Sequence, residues 1–272
     1  MKRIEQKFLE LKAQRKPALI SYICAGHPNY KTSLEVLKSL PQAGCDLIEL
    51  GVPFLDPAGD GPTIQQAARL AIEGGMTLKK TLKMVEEFRK TDEKTPLILM
   101  TYYNPLLKFG VEKIFAEGKK VGVDGFLIVD LPPEEEAEVL PQIRINDLDL
   151  IRLIAPTTDK NRAQKITKHA GGFLYLISML GITGTTLAKA EDNKANLKNL
   201  REVSNLPIAI GFGIQNAEQA KEFAKIGVDA VVIGSALVKE MAEKKSESEI
   251  VKSISEKVSE FSQALSVFGR DL

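Results

Sequence analysis

Tryptophan is absent from the 272 residues, and histidine and cysteine occur only twice each. With His27, His169, Cys24 and Cys45 as the whole supply, and no Cys-x-x-Cys spacing, no structural zinc site is expected. Both cysteines lie inside apolar runs, where a thiol serves as a small buried hydrophobe. Charge of one sign is lacking too: 37 basic residues stand against 36 acidic ones, a formal net charge of +1. That balance offers no basic face to nucleic acid or to an anionic membrane. No stretch approaches the roughly eighteen apolar residues of a membrane span. The opening "MKRIEQKFLELKAQRK" has neither an apolar signal core nor a small-residue cleavage site. The expectation is a cytoplasmic chain with reduced thiols and no nucleic-acid or membrane partner. Any aromatic pocket must be built from Tyr or Phe.

What is present is an ordinary globular composition, 44% apolar and 27% charged. Eight short apolar runs recur: "ALISYIC" (18–24), "CDLIELGV" (45–52), "PLILMTYY" (96–103), "GFLIVDL" (125–131), "LIRLIA" (150–155), "FLYLISM" (173–179), "PIAIGFG" (207–213) and "AVVIGSA" (230–236). They are nearly continuous in Val, Ile and Leu, as strands buried on both faces of a parallel sheet are. Helix-period segments lie between them, several opening at a Ser, Thr, Asp or Asn cap and several closing near Gly. The endings "AGCD", "VGVD" and "IGVD" are helix stops that feed the next strand. Eight strand–helix units predict an α/β chain folded as a (β/α)₈ TIM barrel, a single domain over residues 1–272. An open doubly wound sheet usually carries GxGxxG after its first strand, whereas this turn reads "CAGHPNY". Three extra helices are expected: an N-terminal one over 2–14, one after the second strand, and a C-terminal one.

In such barrels the chemistry sits at the C-terminal ends of the strands. In the second strand Leu47, Glu49 and Gly51 share one face, which aims Glu49 at the barrel mouth. Desolvation there would raise its pKa into a range useful for general acid–base work. The plainer alternative is a strand-end acid paired with a Lys or Arg. For Asp60, in "PAGDGPT", loop chemistry alone favours a helix N-cap, with Pro62 two residues on. Asp56 before Pro57 reads as a turn residue. Glycine-bearing strand ends come late, at "MLGITG" (179–184), "GFGIQNAEQ" (211–219) and "GSALVK" (234–239). The last two are expected to place backbone N–H groups at helix starts after strands seven and eight, the habitual phosphate site of this barrel. Alternation puts Tyr22, Met100, Tyr102, Leu127, Val129, Leu153 and Tyr175 inward, either as an apolar slot for a flat group or simply as barrel core. Both histidines are expected at the surface.

These residues together resemble the tryptophan synthase alpha subunit family. The most specific stretches are "IELGVPFLDPAGDGPTIQ" (48–65), "MTYYNPLLKFG" (100–110), "DGFLIVDLPPEE" (124–135), "LIAPTT" (153–158), "GITG" (181–184), "IGFGI" (210–214) and "VIGSALV" (232–238). The resemblance implies retro-aldol cleavage of indole-3-glycerol phosphate to indole and glyceraldehyde 3-phosphate, with no cofactor or metal in this chain. It gives Glu49 the proton transfers at C3 and the side-chain hydroxyl, and Asp60 the indole N–H. It places the ring among Tyr22, Met100, Tyr102, Leu127, Leu153, Tyr175 and Phe212, and the phosphate on Gly184, Gly213, Gly234 and Ser235. It also implies a pyridoxal-phosphate beta subunit as partner in an α₂β₂ complex, to which indole passes.

The departures fall in two loops. Leu55 stands where the family's "PFSDP" has Ser, Ala58 and Gly59 stand within "DPLADG", and Met179 and Leu180 replace the Arg-Ala pair of "SRAGVTG". Both acids and the glycines remain, so the implied outcome is retained chemistry with altered loop closure. Two rivals are another phosphate-binding barrel and a non-catalytic activator of the beta chain. The first usually relies on Lys, His or Cys at strand ends, for which only Cys24 stands here. The second would have been signalled by loss of either acid.

Overall fold

In the computed structural model, which describes residues 1–178, 190–243 and 246–269, eight parallel strands close into a barrel. Each strand pairs with the next in sequence, and the eighth with the first. The chain runs α1 (Arg3–Ala13), β1 (Ala18–Cys24), α2 (Tyr30–Ser39), β2 (Leu47–Gly51), α3 (Pro62–Glu73), α4 (Leu78–Arg89), β3 (Leu97–Thr101), α5 (Tyr103–Phe109), α6 (Val111–Val121) and β4 (Gly125–Ile128). It continues through α7 (Val139–Ile145), β5 (Asp149–Ile154), α8 (Lys160–Thr167), β6 (Leu174–Ile177), α9 (Lys194–Val203), β7 (Ile208–Gly211), α10 (Ala217–Lys225), β8 (Ala230–Ile233), α11 (Ser235–Glu243) and α12 (Glu247–Ser266). All eight strands expected from the apolar runs form, most of them shorter than the runs. Tyr102 and Tyr103 leave the third strand because α5 starts at once, and Ser235 leaves the eighth because it opens α11.

The helices start and stop for local reasons. The side chains of Asn29, Thr77, Asp159, Asn216 and Ser246 each accept a backbone N–H at the head of their helix, which satisfies a donor the helix itself cannot. Gly122, at φ 98°, ends α6 in the left-handed conformation that a side chain would resist.

Two apolar layers result. The larger fills the space between strands and outer helices, with Leu37, Leu50, Phe88, Phe115, Phe126 and Phe261 among its members. The smaller fills the barrel itself, from Ile20, Leu47, Ile98, Leu127, Ile151, Phe173, Ala209 and Val232. The N-terminal helix joins that inner layer. Its Ile4, Phe8 and Leu11 lie one helical face apart and are buried with the barrel residues, with the Phe8 ring 5.8 Å from that of Phe173. It therefore plugs the barrel at the end opposite the strand C-termini, leaving only the other end open for a site.

Candidate active site

Glu49 sits in β2, level with Tyr22 of β1 and Ile98 of β3. Only 1% of it is exposed, and its Oε1 has no hydrogen-bond partner among the described residues. The alternative of a strand-end acid paired with a Lys or Arg is not what forms: among the described residues no basic side chain reaches the buried carboxyl. Burial, with repulsion from the Asp60 carboxylate added, pushes the Glu49 carboxyl up to about 8. Neutralising the group is how a carboxyl escapes the cost of sitting charged in a dry site.

Asp60 does not cap α3. The N-cap is Gly61, with Pro62 in the first turn, and the Asp60 side chain turns inward instead. The Tyr102 hydroxyl donates to its Oδ2 at 2.9 Å, while the Gly59 N–H donates to the Tyr102 oxygen at 3.0 Å. Burial pushes Asp60 up to about 6, and the Tyr102 hydrogen bond works against that rise. Tyr102 is itself wedged against Phe54, ring centroids 5.4 Å apart. Gly59 has a packing reason as well: a Cβ there would lie 2.8 Å from Val129 Cγ1.

Both acids face a cavity of about 580 Å³ at the open end of the barrel, a size that suits a small-molecule ligand. Of the expected ring-binding residues, Tyr22, Met100, Tyr175 and Phe212 line it. Leu127 and Leu153 belong to the packed barrel interior instead, and Tyr102 braces Asp60 without lining the cavity. Two strand-end glycines make room for the aromatic walls. A Cβ on Gly51 would stand 2.3 Å from the Tyr22 hydroxyl, and one on Gly211 would stand 2.2 Å from that of Tyr175. Strand alternation did not single out Ile64, Thr157, Ile177 or Val232, which complete the wall.

Gly213, Gly234 and Ser235 line the same cavity; Gly184, with Met179 and Leu180, lies outside the described residues. Both late glycine motifs run into a helix start, α10 at Ala217 and α11 at Ser235, but only the second has its glycine next to that start. Ser235 opens α11, whose first N–H groups lack intrahelical partners and favour an anion. Gly213 instead lies in a left-handed turn ahead of α10, at φ 79°. The surface expectation for the histidines holds for neither in full. His27, in the turn that follows β1, is buried. His169 is half-buried, its Nδ1 on Glu136, which also pairs with the buried Arg152 of β5. Among the described residues no three His, Cys, Asp or Glu gather to hold a metal, and no helix is long and apolar enough to cross a membrane.

A closed barrel with two desolvated carboxyls and a helix start in one cavity has the layout of a barrel enzyme's active site. The family profile described as tryptophan synthase alpha chain matches residues 8–266. The tryptophan synthase alpha chain of Granulibacter bethesdensis is 51% identical over 243 residues, 89% of this chain and 87% of the relative. The crystal structure of tryptophan synthase subunit alpha from Legionella pneumophila superposes with a TM-score of 0.88 at 35% identity, covering 97% of this chain and 98% of the other. Tryptophan synthase of Mycobacterium tuberculosis gives a TM-score of 0.86 at 31% identity, covering 97% and 98%. This chain belongs to the tryptophan synthase alpha chain family.

Proposed function

We propose that the chain is a lyase that cleaves indole-3-glycerol phosphate to indole and glyceraldehyde 3-phosphate, and that Glu49 and Asp60 carry the reaction. The observation that supports this is the split between two acids in one cavity: Glu49 pushed up to about 8 and Asp60 only to about 6. Near neutral pH the first is mostly protonated and the second mostly ionised, the arrangement that lets one group act as acid while the other accepts. Glu49 delivers its proton to C3 of the indole ring. As a carboxylate it then takes the proton from the side-chain hydroxyl while the C–C bond breaks, the aldehyde forms and the bonding electrons return to the ring. Asp60 accepts a hydrogen bond from the indole N–H and stabilises the positive charge that develops there, held for that task by Tyr102. The ring lies among Tyr22, Met100, Tyr175 and Phe212, and the phosphate lies against Gly213 and the α11 start at Gly234–Ser235.

The cofactor expectation is carried forward as part of the same reading. This chain supplies carboxyl chemistry, and pyridoxal phosphate belongs to a beta subunit that receives the indole in an α₂β₂ complex in the cytoplasm. Leu55, 68% exposed on the β2–α3 loop beside the cavity, is the departure placed to alter loop contacts.

An indole-release assay, run with and without a tryptophan synthase beta subunit, tests the reading. Glu49→Gln is expected to lower kcat by about 10²–10⁴-fold with substrate binding largely kept. Full activity in that variant would refute the assignment.

A further inference from the structure

Phe212 holds a backbone conformation its side chain disfavours. Its φ is 81°, a region where bulky residues are outliers and glycine is at home. Glycines flank it on both sides, at Gly211 and Gly213, so the turn places the strained position on the one residue of the three that has a ring to present. That ring meets Tyr175 edge-on, centroids 6.1 Å apart, and both Phe212 and Gly213 line the cavity. Such a conformation persists only where neighbouring structure over-determines it.

Ser178 is the neighbour that does so. It follows β6 directly and is 1% exposed. Its backbone N–H donates to the Gly211 carbonyl at 3.0 Å. Its hydroxyl lies 2.6 Å from the same carbonyl and 2.7 Å from that of Phe212. One hydroxyl proton is thus shared between two consecutive carbonyls, which clamps the peptide units on either side of the Phe212 Cα. We propose that Ser178 is a positioning residue for the binding site. Its hydroxyl fastens the end of β6 to the turn after β7, and so holds the Phe212 ring against the substrate's flat group and the Gly213 backbone against its phosphate. The proposal rests on the substrate reading above. It differs from a packing role because the hydroxyl, and not the volume of the side chain, fixes the turn.

The test uses the full chain with Ser178→Ala and Ser178→Cys, the latter keeping the volume with a weaker donor. Three quantities are measured: the dissociation constant for inorganic phosphate, the KM and kcat of indole release, and Tm. In Ser178→Ala the phosphate dissociation constant and KM are expected to rise about tenfold, with kcat within about twofold; Ser178→Cys should fall between Ala and wild type. In a Phe212→Gly background, where glycine takes the positive φ unaided, Ser178→Ala should change phosphate binding by less than about twofold. The proposal is overturned if Ser178→Ala lowers Tm while phosphate binding and KM stay as in wild type, or if its effect on phosphate is as large in the Phe212→Gly background. Should Ser178→Ala not fold, Ser178→Cys carries the same comparison. A wild-type chain that releases no indole would sink the substrate reading while phosphate binding still decides the role of Ser178; a wild-type chain that binds no phosphate would sink the clamp as well.

Discussion

Tyr102 is the residue on which the acid–base pair turns. Its hydroxyl donates to Asp60 and holds that carboxyl lower than burial alone would leave it, and the Asp60 charge in turn raises Glu49. Indole release should therefore follow a bell, rising through about 6 as Asp60 ionises and falling through about 8 as Glu49 loses its proton. Removing the donor in Tyr102→Phe should move the rising limb to higher pH by about one unit and lower activity at neutral pH. A pH–rate profile checks this; an unmoved acid limb would separate Tyr102 from Asp60. The inward aim of Glu49 was legible from strand alternation. The inward turn of Asp60 was not, because its local sequence favours a helix cap, and it is Tyr102, 42 residues away in sequence, that holds the side chain inward.

At the scale of the element, the repeated Gly-x-Asp endings do more than stop helices. Asp46, Asp124 and Asp229 each return a backbone N–H to the preceding strand, at Leu19, Leu97 and Ile208. Their carboxylates accept the N–H of those same three residues. The motif thus staples neighbouring strands at the end of the barrel away from the site, where such features serve stability. Asp124 carries the heaviest load, since Arg3 of α1 and the buried Arg89 of α4 also pair with it. Asp124→Ala leaves the Arg89 guanidinium without that partner and should cost about 3–5 kcal/mol. The expected signature in chemical denaturation is a lower midpoint at an unchanged slope. The helix stop was readable from glycine spacing; the staple was not, because its partner strand lies more than twenty residues upstream.

For the whole molecule, closure of the sheet and its plug create a site open at one end. Phe8 couples the N-terminal helix to the barrel interior through Phe173. Phe8→Ala should lower stability by about 3–5 kcal/mol and leave the cavity at the opposite end with its substrate affinity intact. Thermal unfolding and KM, measured together, check both halves. A large rise in KM would mean that the plug also shapes the mouth.

The amino-acid order by itself determined the eight strands, the inward aim of Glu49, the helix caps and the glycine stops, because each depends on residues within a few positions of one another. Tertiary structure decided which inward side chains wall the cavity and which are core, since Met100 and Leu127 share the alternation pattern and are register partners, yet Met100 lines the cavity and Leu127 is packed inside the barrel. It also decided the burial of His27, the purpose of Gly51 and Gly211 beneath two tyrosine hydroxyls, and the left-handed turn at Phe212. Those outcomes rest on contacts between strands brought together by closure, and neighbours along the chain carry no trace of them.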